Sequence, residues 1–349
     1  MKVSVAMCTY NGEKYIRKQL ESIIRQSRRV DEIIISDDGS KDATLAICRE
    51  ILSNTNIPFQ IVENKPSLKV IKNFQQCFSL CTGDLIFSCD QDDIWHENKV
   101  EIMLSYFENN DLIDMIATDA VLIDATDNVM NLSLKEGLDF CMDSQEKILP
   151  ELLRTFCITG ATMAFRKNFE QQYFYVSNYW LHDGWLALQS SMKNSFLYLN
   201  DKLTMYRLHG NNECGVGDVG ILQNGTVEEL IRVRKKKARK TAFRYPFYCE
   251  DLAKEKKEMY AEVKAQIDKN QWKVDSHNLE LLNECISFWD CRANLRLYSF
   301  RQMNQLRRKW KNERKYERFC ESPSYYYYDF YLWIIYRLIP RKSRGETND

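Results

Sequence analysis

An apolar segment leads directly into an acidic one at Leu85-Ile86-Phe87-Ser88-Cys89-Asp90-Gln91-Asp92-Asp93-Ile94-Trp95. A short apolar run, typical of a buried strand, ends here in three carboxylates within four positions. So much negative charge at the end of a buried strand is costly unless a cation lies nearby. Carboxylate oxygens suit Mg²⁺ or Mn²⁺, and Mg²⁺ is commonly held by one or two carboxylates together with substrate phosphates. The stretch therefore favours a metal–diphosphate site, with a solvated acidic turn as the alternative.

The composition limits the class of protein. The 349-residue chain has room for a large core, and we expect one catalytic domain with an appendage. Lysine plus arginine and aspartate plus glutamate both number 49, so the net charge of zero gives no reason to expect nucleic acid as a partner. Twelve cysteines occur without a CxxC pair or a secretory leader, which indicates reduced thiols. No apolar stretch is long enough for a membrane span. We therefore expect a soluble, cytoplasmic protein.

The first half of the chain alternates between strand-like and helix-like patterns. The predicted strands, each followed by a helix, are Val3–Met7, Ile33–Ser36, Ile57–Val62 and Leu85–Ser88. This alternation predicts a mostly parallel sheet with helices on both faces, and such sheets bind ligands beyond the carboxyl ends of their strands. Polar motifs stand at three of those ends: Cys8–Asn11, Asp37–Ser40 and Asp90–Asp93. We expect them to converge on one crevice.

The pattern loosens after residue 112. Further strands are predicted at Ile113–Thr118 and Cys157–Phe165, and a last strand pair at Phe196–Leu199 and Leu203–Arg207. Beyond about residue 220 strand signals give way to long, charged helical patterns, so we expect a domain boundary near Gly220–Gly225.

Several polar residues are candidates for binding a nucleotide. Asp38 follows a strand and can accept hydrogen bonds from a base or a ribose, although Asp or Ser in such a turn also serves to cap the next helix. Lys72 and Asn73 lie on the helix that precedes the acidic strand and could reach a phosphate or base, but a surface lysine is the simpler interpretation of Lys72. Asp92 and Asp93 could hold a divalent cation that neutralises a departing diphosphate.

A transfer reaction also needs a base. Asp183 lies among apolar and aromatic residues at the predicted start of a helix, where partial desolvation would raise its pKa and suit it to general-base catalysis. Helix capping is the alternative role. His209 follows the last predicted strand and could be a metal ligand, or a structural histidine. Arg207 could contact a phosphate.

Six motifs occur in the order seen in family 2 glycosyltransferases, and they cover roughly residues 1–215: Cys8-Thr9-Tyr10-Asn11-Gly12, Ser36-Asp37-Asp38-Gly39-Ser40-Lys41-Asp42, Gly83-Asp84-Leu85-Ile86, Asp90-Gln91-Asp92-Asp93-Ile94-Trp95, His182-Asp183 and Tyr206-Arg207-Leu208-His209-Gly210-Asn211-Asn212. The chain resembles this family, and most closely its bacterial rhamnosyltransferase-like members. The resemblance implies a GT-A fold, an α/β architecture with a Rossmann-like, mostly parallel sheet flanked by helices. It implies a catalytic domain at 1–220, with a nucleotide-sugar half at about 1–118 and an acceptor half at about 119–220, and a helical region at 221–349.

The resemblance also implies roles for individual residues. The nucleotide-sugar would contact Thr9, Tyr10, Asn11, Asp38, Lys72, Asn73, Asp90, Gln91, Asp92 and Arg207. Mg²⁺ or Mn²⁺ would be held by Asp92, Asp93 and His209, the acceptor would lie against Trp95, Gly160, His182 and Trp185, and Asp183 would be the base. The chain departs from the family in two places. Many members have Glu-Asp where this chain has His182-Asp183, and Arg where it has Lys72, which removes the bidentate phosphate contact that arginine makes.

The activity that the resemblance implies is an inverting transfer of a sugar from a nucleotide-sugar to a hydroxyl of a growing cell-surface glycan, such as an O-antigen or a capsule. L-Rhamnose from dTDP-rhamnose is the favoured donor, and a lipid-linked saccharide at the inner face of the cell membrane would be a fitting acceptor. Two other classes stay open. A nucleotidyltransferase usually has a glycine-rich, basic N-terminal loop, which Met7–Gly12 lacks, and a non-catalytic glycan-binding scaffold would have no use for three carboxylates and Asp183.

Three further segments invite a functional interpretation. Gly215–Gly220 matches GxGxxG but lacks the preceding strand of a dinucleotide site, so we expect a flexible loop. The basic run Arg232–Lys240 suits a solvated or lipid-facing helix better than nucleic acid. Tyr325–Lys342 combines aromatic with basic residues, which is typical of a helix at a membrane interface or of an aromatic helix packed on the catalytic domain.

Overall fold

A computed structural model describes residues 1–155, 157–209, 224–233, 236, 246–320 and 325–338. They form two compact units, one up to Leu152 and from Phe156 to Leu230, the other made of Leu153–Thr155 and the chain from Ile231. The GxGxxG match, most of Gly220–Gly225, and parts of the basic run and of the aromatic end lie outside the described residues.

One mixed sheet of nine strands forms the centre of the first unit. The strands are β1 (Val3–Thr9), β2 (Glu32–Asp37), β3 (Phe59–Glu63), β4 (Leu85–Cys89), β5 (Ile94–Trp95), β6 (Met115–Ile123), β7 (Val129–Ser133), β8 (Met163–Arg166) and β9 (Phe196–Arg207). Their order is β3-β2-β1-β4-β8-β6-β9-β5, with β7 paired to β6. The pairs among β1, β2, β3 and β4 are parallel, as predicted, whereas β8 runs antiparallel to both β4 and β6.

Helices cover the faces of this sheet. They are α1 (Ile16–Ile24), α2 (Thr44–Ser53), α3 (Lys69–Leu80), α4 (Lys99–Asn109), α5 (Leu134–Leu138), α6 (Gln145–Arg154), α7 (Lys167–Tyr173) and α8 (His182–Met192). In α1, Ile16, Leu20 and Ile23 recur on one side and are buried in the core that β1, β2 and β4 share. The four predicted strand–helix units are thus confirmed.

Two predictions in the second half of the sheet were wrong in detail, and one strand had not been predicted. The final strand pair is a single strand, β9, which pairs along β6 with two register shifts. The predicted strand Cys157–Phe165 is instead a 3₁₀ turn at Gly160–Thr162 followed by the short β8. The two-residue strand β5, which pairs with β9, had not been predicted. These elements depend on partners far away in the sequence, so local periodicity does not reveal them.

The second unit is helical in its described part. It contains α9 (Pro246–Asn270), α10 (Ser276–Ala293), α11 (Phe300–Asn312), α12 (Lys315–Phe319) and α13 (Tyr325–Leu338). Residues 227–233 are also helical, and the division between the two units falls within them, after Leu230. The Arg292 Nη2 and Asp329 Oδ1 atoms lie 2.8 Å apart in its interior, and the Tyr316 hydroxyl donates to the same carboxylate. This buried ion pair ties α10 to α13.

The aromatic end is a packed helix in its described part. Tyr328, Leu332, Trp333 and Tyr336 of α13 are buried against Leu295 and Met303 within the second unit. Within the described ranges, every helix is too short or too polar to cross a bilayer.

Candidate active site

The carboxyl ends of β1, β2 and β4 lie side by side because β1 is the middle strand of the three. Thr9 at the end of β1 is in register with Asp37 of β2, and Met7 is in register with Cys89 of β4. The three polar motifs therefore follow neighbouring strands at one edge of the sheet, as predicted.

Asp37, rather than Asp38, organises the turn after β2. Its fully buried carboxylate accepts hydrogen bonds from the Thr9 hydroxyl (2.7 Å) and from the backbone N–H groups of Gly39 (3.1 Å) and Ser40 (2.8 Å). Gly39 has φ of 91°, a left-handed conformation that glycine adopts without strain. The sequence analysis did not single out Asp37.

Asp38 is bound by the loop that precedes α3. Its oxygens accept hydrogen bonds from the Ser67 hydroxyl (2.6 Å) and from the N–H groups of Leu68 (2.6 Å) and Lys69 (3.0 Å). Burial alone would raise the pKa of Asp38, but these hydrogen bonds more than offset it and hold the pKa below its ordinary value. The Asp38 carboxylate thus has a structural role in joining two loops of the site.

The two residues predicted on α3 differ in exposure. Asn73 is 3% exposed and donates to the Ser36 carbonyl (3.1 Å), while its own oxygen accepts from Asn64 (2.8 Å). These contacts fix Asn73 beneath β2, which gives it no surface for a phosphate. Lys72 is exposed to solvent.

Tyr10 presents its ring to solvent at this edge, with 55% of the residue exposed. The Gln91 side chain accepts from the Tyr10 N–H (2.9 Å) and donates to the Tyr10 carbonyl (3.0 Å), so it ties the loop after β1 to the acidic turn. A Cβ on Gly12 would lie 2.2 Å from Gln91 Oε1, which explains the glycine there. Asn11 accepts from the Lys41 N–H (2.9 Å).

The acidic turn has unusual electrostatics. Burial, followed by the charges of Asp92 and Asp183, raises the pKa of Asp90 to about 7. Asp93 is 1% exposed, and burial together with the charges of Asp92 and Asp90 raises its pKa well above the ordinary value. Asp92 Oδ2 lies 2.8 Å from His209 Nε2, and the His209 ring stacks on Tyr15. The structure therefore brings His209 into contact with Asp92 of the acidic turn.

Arg207 is a buried residue that donates hydrogen bonds to the acidic turn. Its N–H donates to Asp93 Oδ1 (2.8 Å), and its 1% exposed guanidinium donates to the carbonyl oxygens of Asp92 (2.6 Å) and Asp124 (3.1 Å) and to the Asp127 carboxylate. It also lies over the Tyr15 ring. We predicted that Arg207 would contact the nucleotide's phosphates, but this burial leaves it no access to them and makes it a support for the turn.

Lys99 is a second cation that the sequence analysis missed. It is fully buried at the start of α4, and its ammonium donates to the Ala161 carbonyl (2.7 Å) and the Thr204 hydroxyl (3.0 Å). Burial lowers the pKa of Lys99 to about 8, against the opposing effects of Cys89, Asp93 and Asp90. A lysine in the first turn of an amphipathic helix gives no sequence signal of such a role.

Asp183 lies in the first turn of α8 and is partly exposed. Its carboxylate accepts from the N–H of its neighbour Gly184 (2.7 Å) and from that of Gly160 (3.1 Å), so the 3₁₀ turn fixes its position. His182 is buried and stacked on Phe74 at 3.8 Å, and neither ring nitrogen has a hydrogen-bond partner among the described residues. Burial lowers the pKa of His182, although the charge of Asp183 acts in the opposite direction.

Two tryptophans predicted to contact the acceptor lie in the core. Trp185 is 0% exposed, and its indole N–H donates to the Tyr173 carbonyl (2.8 Å). Trp95 is 4% exposed and packs on Phe87, with the Lys99 ammonium 4.2 Å from its ring centre. Gly160 and His182 are buried as well. None of these four residues offers surface to an acceptor, because each is packed inside the unit.

The acidic turn fits a divalent cation in its chemistry. Asp93 Oδ2 is buried and has no hydrogen-bond partner in the described part of the chain, and burial, followed by the charge of Asp92, raises the pKa of both Asp90 and Asp93. Within the described ranges, no group of three or more ligating side chains is arranged around a common point.

A mixed sheet with parallel β1, β2 and β4, an acidic turn at its carboxyl edge and the antiparallel strand β8 beside β4 is the GT-A architecture. The family model "Glycosyl transferase family 2" matches residues 4–173. The dTDP-rhamnosyl transferase RfbG of Shigella flexneri is 31% identical over 225 residues, which cover 60% of this chain and 73% of RfbG. The chain therefore belongs to glycosyl transferase family 2.

The chain is similar to other glycosyltransferases over different shares of its length. An uncharacterized glycosyltransferase of Haemophilus influenzae is 29% identical over 66% of this chain and 72% of its own length. The putative glycosyltransferase EpsE of Bacillus subtilis is 30% identical, but the match spans 35% of this chain and 44% of EpsE. Among solved structures, the mannosyltransferase PcManGT of Pyrobaculum calidifontis, in complex with GDP-Man and Mn²⁺, has 12% identity and a TM-score of 0.48 over 98% of this chain and 88% of its own.

Proposed function

We propose that the chain is an inverting glycosyltransferase that transfers a sugar from a nucleotide-sugar to a hydroxyl of a cell-surface glycan, with dTDP-L-rhamnose as the first donor to test. The observation that carries the proposal is the position of Asp183: the Gly160 N–H that holds its carboxylate, at 3.1 Å, belongs to the 3₁₀ turn, and this turn lies against Ser88 of β4, two residues before Asp90. A carboxylate for proton transfer and carboxylates for a metal–diphosphate thus share one site. The name of RfbG supports the choice of donor.

The nucleotide-sugar would bind along the edge formed by β1, β2 and β4. The exposed Tyr10 ring offers a face for stacking a base, and the loops that Thr9, Asn11, Asp38 and Gln91 hold together form the floor beside it. Lys72 is exposed and can approach a phosphate as a point charge. Asp92 and Asp93, with His209 beside them, would hold Mg²⁺ or Mn²⁺, which when bound offsets the negative charge of a leaving diphosphate.

Asp183 would act as the general base. Two backbone N–H groups orient its carboxylate, and its partial exposure leaves an oxygen lone pair accessible to an acceptor hydroxyl. Asp183 takes the hydroxyl proton while the hydroxyl oxygen forms a bond to the anomeric carbon. The bond from that carbon to the diphosphate oxygen breaks, and its electron pair leaves with the nucleoside diphosphate. Because attack and departure occur on opposite faces, the anomeric configuration inverts.

The second unit supports a proposal about the membrane. The exposed residues on α11 include Arg301, Arg308, Lys309 and Lys311, and this helix contains no acidic residue. Leu297 and Phe300, just before and at its start, are 73% and 56% exposed. A cationic face next to exposed apolar side chains suits an anionic bilayer surface. We therefore assign membrane contact to this face instead of to the aromatic side chains of α13 that are buried.

The experiment is a donor panel with the purified chain and MnCl₂. dTDP-L-rhamnose, UDP-glucose, UDP-galactose, UDP-GlcNAc and GDP-mannose would be compared by release of nucleoside diphosphate, with and without EDTA. Asp92→Asn/Asp93→Asn serves as the control for the acidic turn, and its melting temperature checks that it is folded. We expect metal-dependent turnover of one donor that the control lacks. If the wild-type chain neither turns over nor binds any of these donors, the proposal would be refuted and a non-catalytic scaffold favoured.

A further inference from the structure

A fully buried lysine beside the site needs a physical reason, because an ammonium in the protein interior loses its hydration. Lys99 has 0% exposure and lies 4.2 Å from the centre of the Trp95 ring. Its ammonium group donates hydrogen bonds to the Ala161 carbonyl at 2.7 Å and to the Thr204 hydroxyl at 3.0 Å. The negative field of Asp93 and Asp90 also favours the charged form. The protein therefore keeps a cation at this point at considerable cost.

The two acceptors belong to different parts of the site. Ala161 lies in the 3₁₀ turn Gly160–Thr162, and the N–H of Gly160 in that turn donates to Asp183 Oδ2 at 3.1 Å. Thr204 lies on β9, opposite Trp95, three residues before Arg207. The N–H of Arg207 in turn donates to Asp93 Oδ1 at 2.8 Å. One ammonium thus connects the turn that holds Asp183 to the strand that holds the acidic turn.

We propose that Lys99 is a positioning residue that fixes the 3₁₀ turn, and through the Gly160 N–H the carboxylate of Asp183, relative to β9 and the acidic turn. The inference rests on the proposed function, since Asp183 is the proposed base. Lys99 does not contact the reacting groups in this arrangement; it acts through the carbonyl of Ala161. The geometry of proton transfer is sensitive to displacements of about 1 Å. Loss of Lys99 should therefore reduce the rate of the chemical step.

The first test replaces Lys99 with methionine, which keeps the length of the side chain and removes its charge and both hydrogen bonds. We expect kcat to fall about thirtyfold, while the KM of the donor changes less than about threefold. Lys167→Met is the matched control, because Lys167 is also largely buried and donates to a backbone carbonyl, that of Phe78, at 2.6 Å. It should lower the melting temperature to a similar extent and leave kcat within about twofold.

Thr204→Val provides a second, milder variant in case Lys99→Met does not fold. It removes one acceptor of the ammonium and preserves the shape of the side chain. We expect kcat to decrease by about three- to tenfold, with the donor KM unchanged. A kcat equal to that of the wild type in a folded Thr204→Val and a folded Lys99→Met would overturn the inference, whereas the activity of the wild type would still support the proposed function.

A double-mutant cycle separates positioning from a general loss of stability. If Lys99 acts through Asp183, Lys99→Met should reduce kcat of Asp183→Asn by less than about twofold, because the group that it positions is already absent. If Lys99 only stabilises the fold, the same thirtyfold loss should appear in both backgrounds, and the inference would be wrong. No turnover by the wild-type chain with any donor would be a failure of the proposed function itself.

Discussion

Gly160 lies against the ring of His182, and its missing side chain decides how closely the 3₁₀ turn approaches α8. A Cβ at this position would lie 2.8 Å from His182 Nε2 and 3.5 Å from the Ser88 hydroxyl. The His182 ring cannot move away freely, because it stacks on Phe74 and is buried. The turn would have to move instead, and with it the N–H that holds Asp183.

We therefore predict that Gly160→Ala lowers kcat about tenfold by displacing the N–H donor of Asp183. Steady-state turnover of the donor identified in the panel measures this effect, with circular dichroism as a check of the fold. His182→Ala removes the obstructing ring, so Gly160→Ala should cost much less activity in that background. Equal losses in the two backgrounds would contradict the proposed clash.

Asp183 is the residue on which the proposed chemistry depends most directly. Asn has nearly the same shape but cannot take a proton, so Asp183→Asn should reduce kcat by about 10²–10⁴-fold. The affinity for the donor, measured by calorimetry, should stay within about twofold of the wild-type value. The reason is that the edge of β1, β2 and β4, where the donor is proposed to bind, is formed by other residues. Asp111→Asn, at a side chain that is 99% exposed, is the control for loss of a carboxylate. Normal turnover by Asp183→Asn would exclude the general-base role.

The strands and helices that could be predicted from the sequence are those whose pattern is local, that is, contained in their own residues. The strands β1, β2 and β4 are largely apolar runs, and α1 has apolar residues on one face, so each could be recognised from its own residues. The continuation of β6 beyond Thr118 and the continuity of β9 could not be recognised, because both strands contain polar residues, Asp119 and Lys202, which pair with each other at the register shifts.

The same limit applies to the site. The carboxylates Asp90, Asp92, Asp93 and Asp183 could be predicted, since charges at strand and helix ends need a reason. The roles of Lys99 and Arg207 could not, because their partners, such as Ala161 and Asp127, are 62 and 80 residues away in sequence. Burial decides between a ligand contact and an internal support, and a sequence pattern does not give the burial of a single side chain.

Glu32 joins three strands at the end of the sheet opposite the site. Its carboxylate, on β2, accepts from the hydroxyl of Ser4 on β1 and from the N–H and hydroxyl of Thr82, which precedes β4. Burial raises the pKa of Glu32, but the hydrogen bonds from Ser4 and Thr82, together with the charge of Lys2, lower it by more than burial raises it. The pKa is therefore below its ordinary value of 4.5. Folding therefore favours the ionised form of Glu32.

The lowered pKa of Glu32 predicts how the stability of the protein depends on pH. A carboxyl group with a depressed pKa stabilises the folded state above its unfolded pKa, and this stability is lost as the pH falls through the folded pKa. Glu32→Gln should lower the melting temperature by about 3–8 °C at pH 7, and the difference from the wild type should shrink below pH 4.5. Glu63→Gln, which breaks an exposed ion pair with Arg49, is the control and should change little. A difference that is independent of pH would contradict this account.

At the scale of the whole molecule, the net charge of zero conceals an uneven distribution. Lysine plus arginine equals aspartate plus glutamate over the chain, yet α11 carries basic residues and no acidic one. Arg301 and Arg308 are seven residues apart, two helical turns, so both lie on the exposed side, while Met303 and Trp310 face the core of the second unit. A neutral protein can in this way have one surface that attracts anions.

We predict that this surface binds anionic bilayers. The full chain should float with vesicles containing phosphatidylglycerol and not with pure phosphatidylcholine. Arg301→Gln/Arg308→Gln should weaken the partition about tenfold or more, since each basic residue near an anionic surface contributes about 1 kcal/mol. Lys269→Gln/Lys273→Gln removes two exposed charges elsewhere in the second unit and is the matched control. Leu297→Ser/Phe300→Ser tests whether the apolar side chains insert into the bilayer, because lipid binding at this face needs these side chains as well as the charge. If this variant still binds vesicles as the wild type does, and if RNA binds the chain as tightly as vesicles do, the face is a general polyanion site. The membrane assignment would then be wrong.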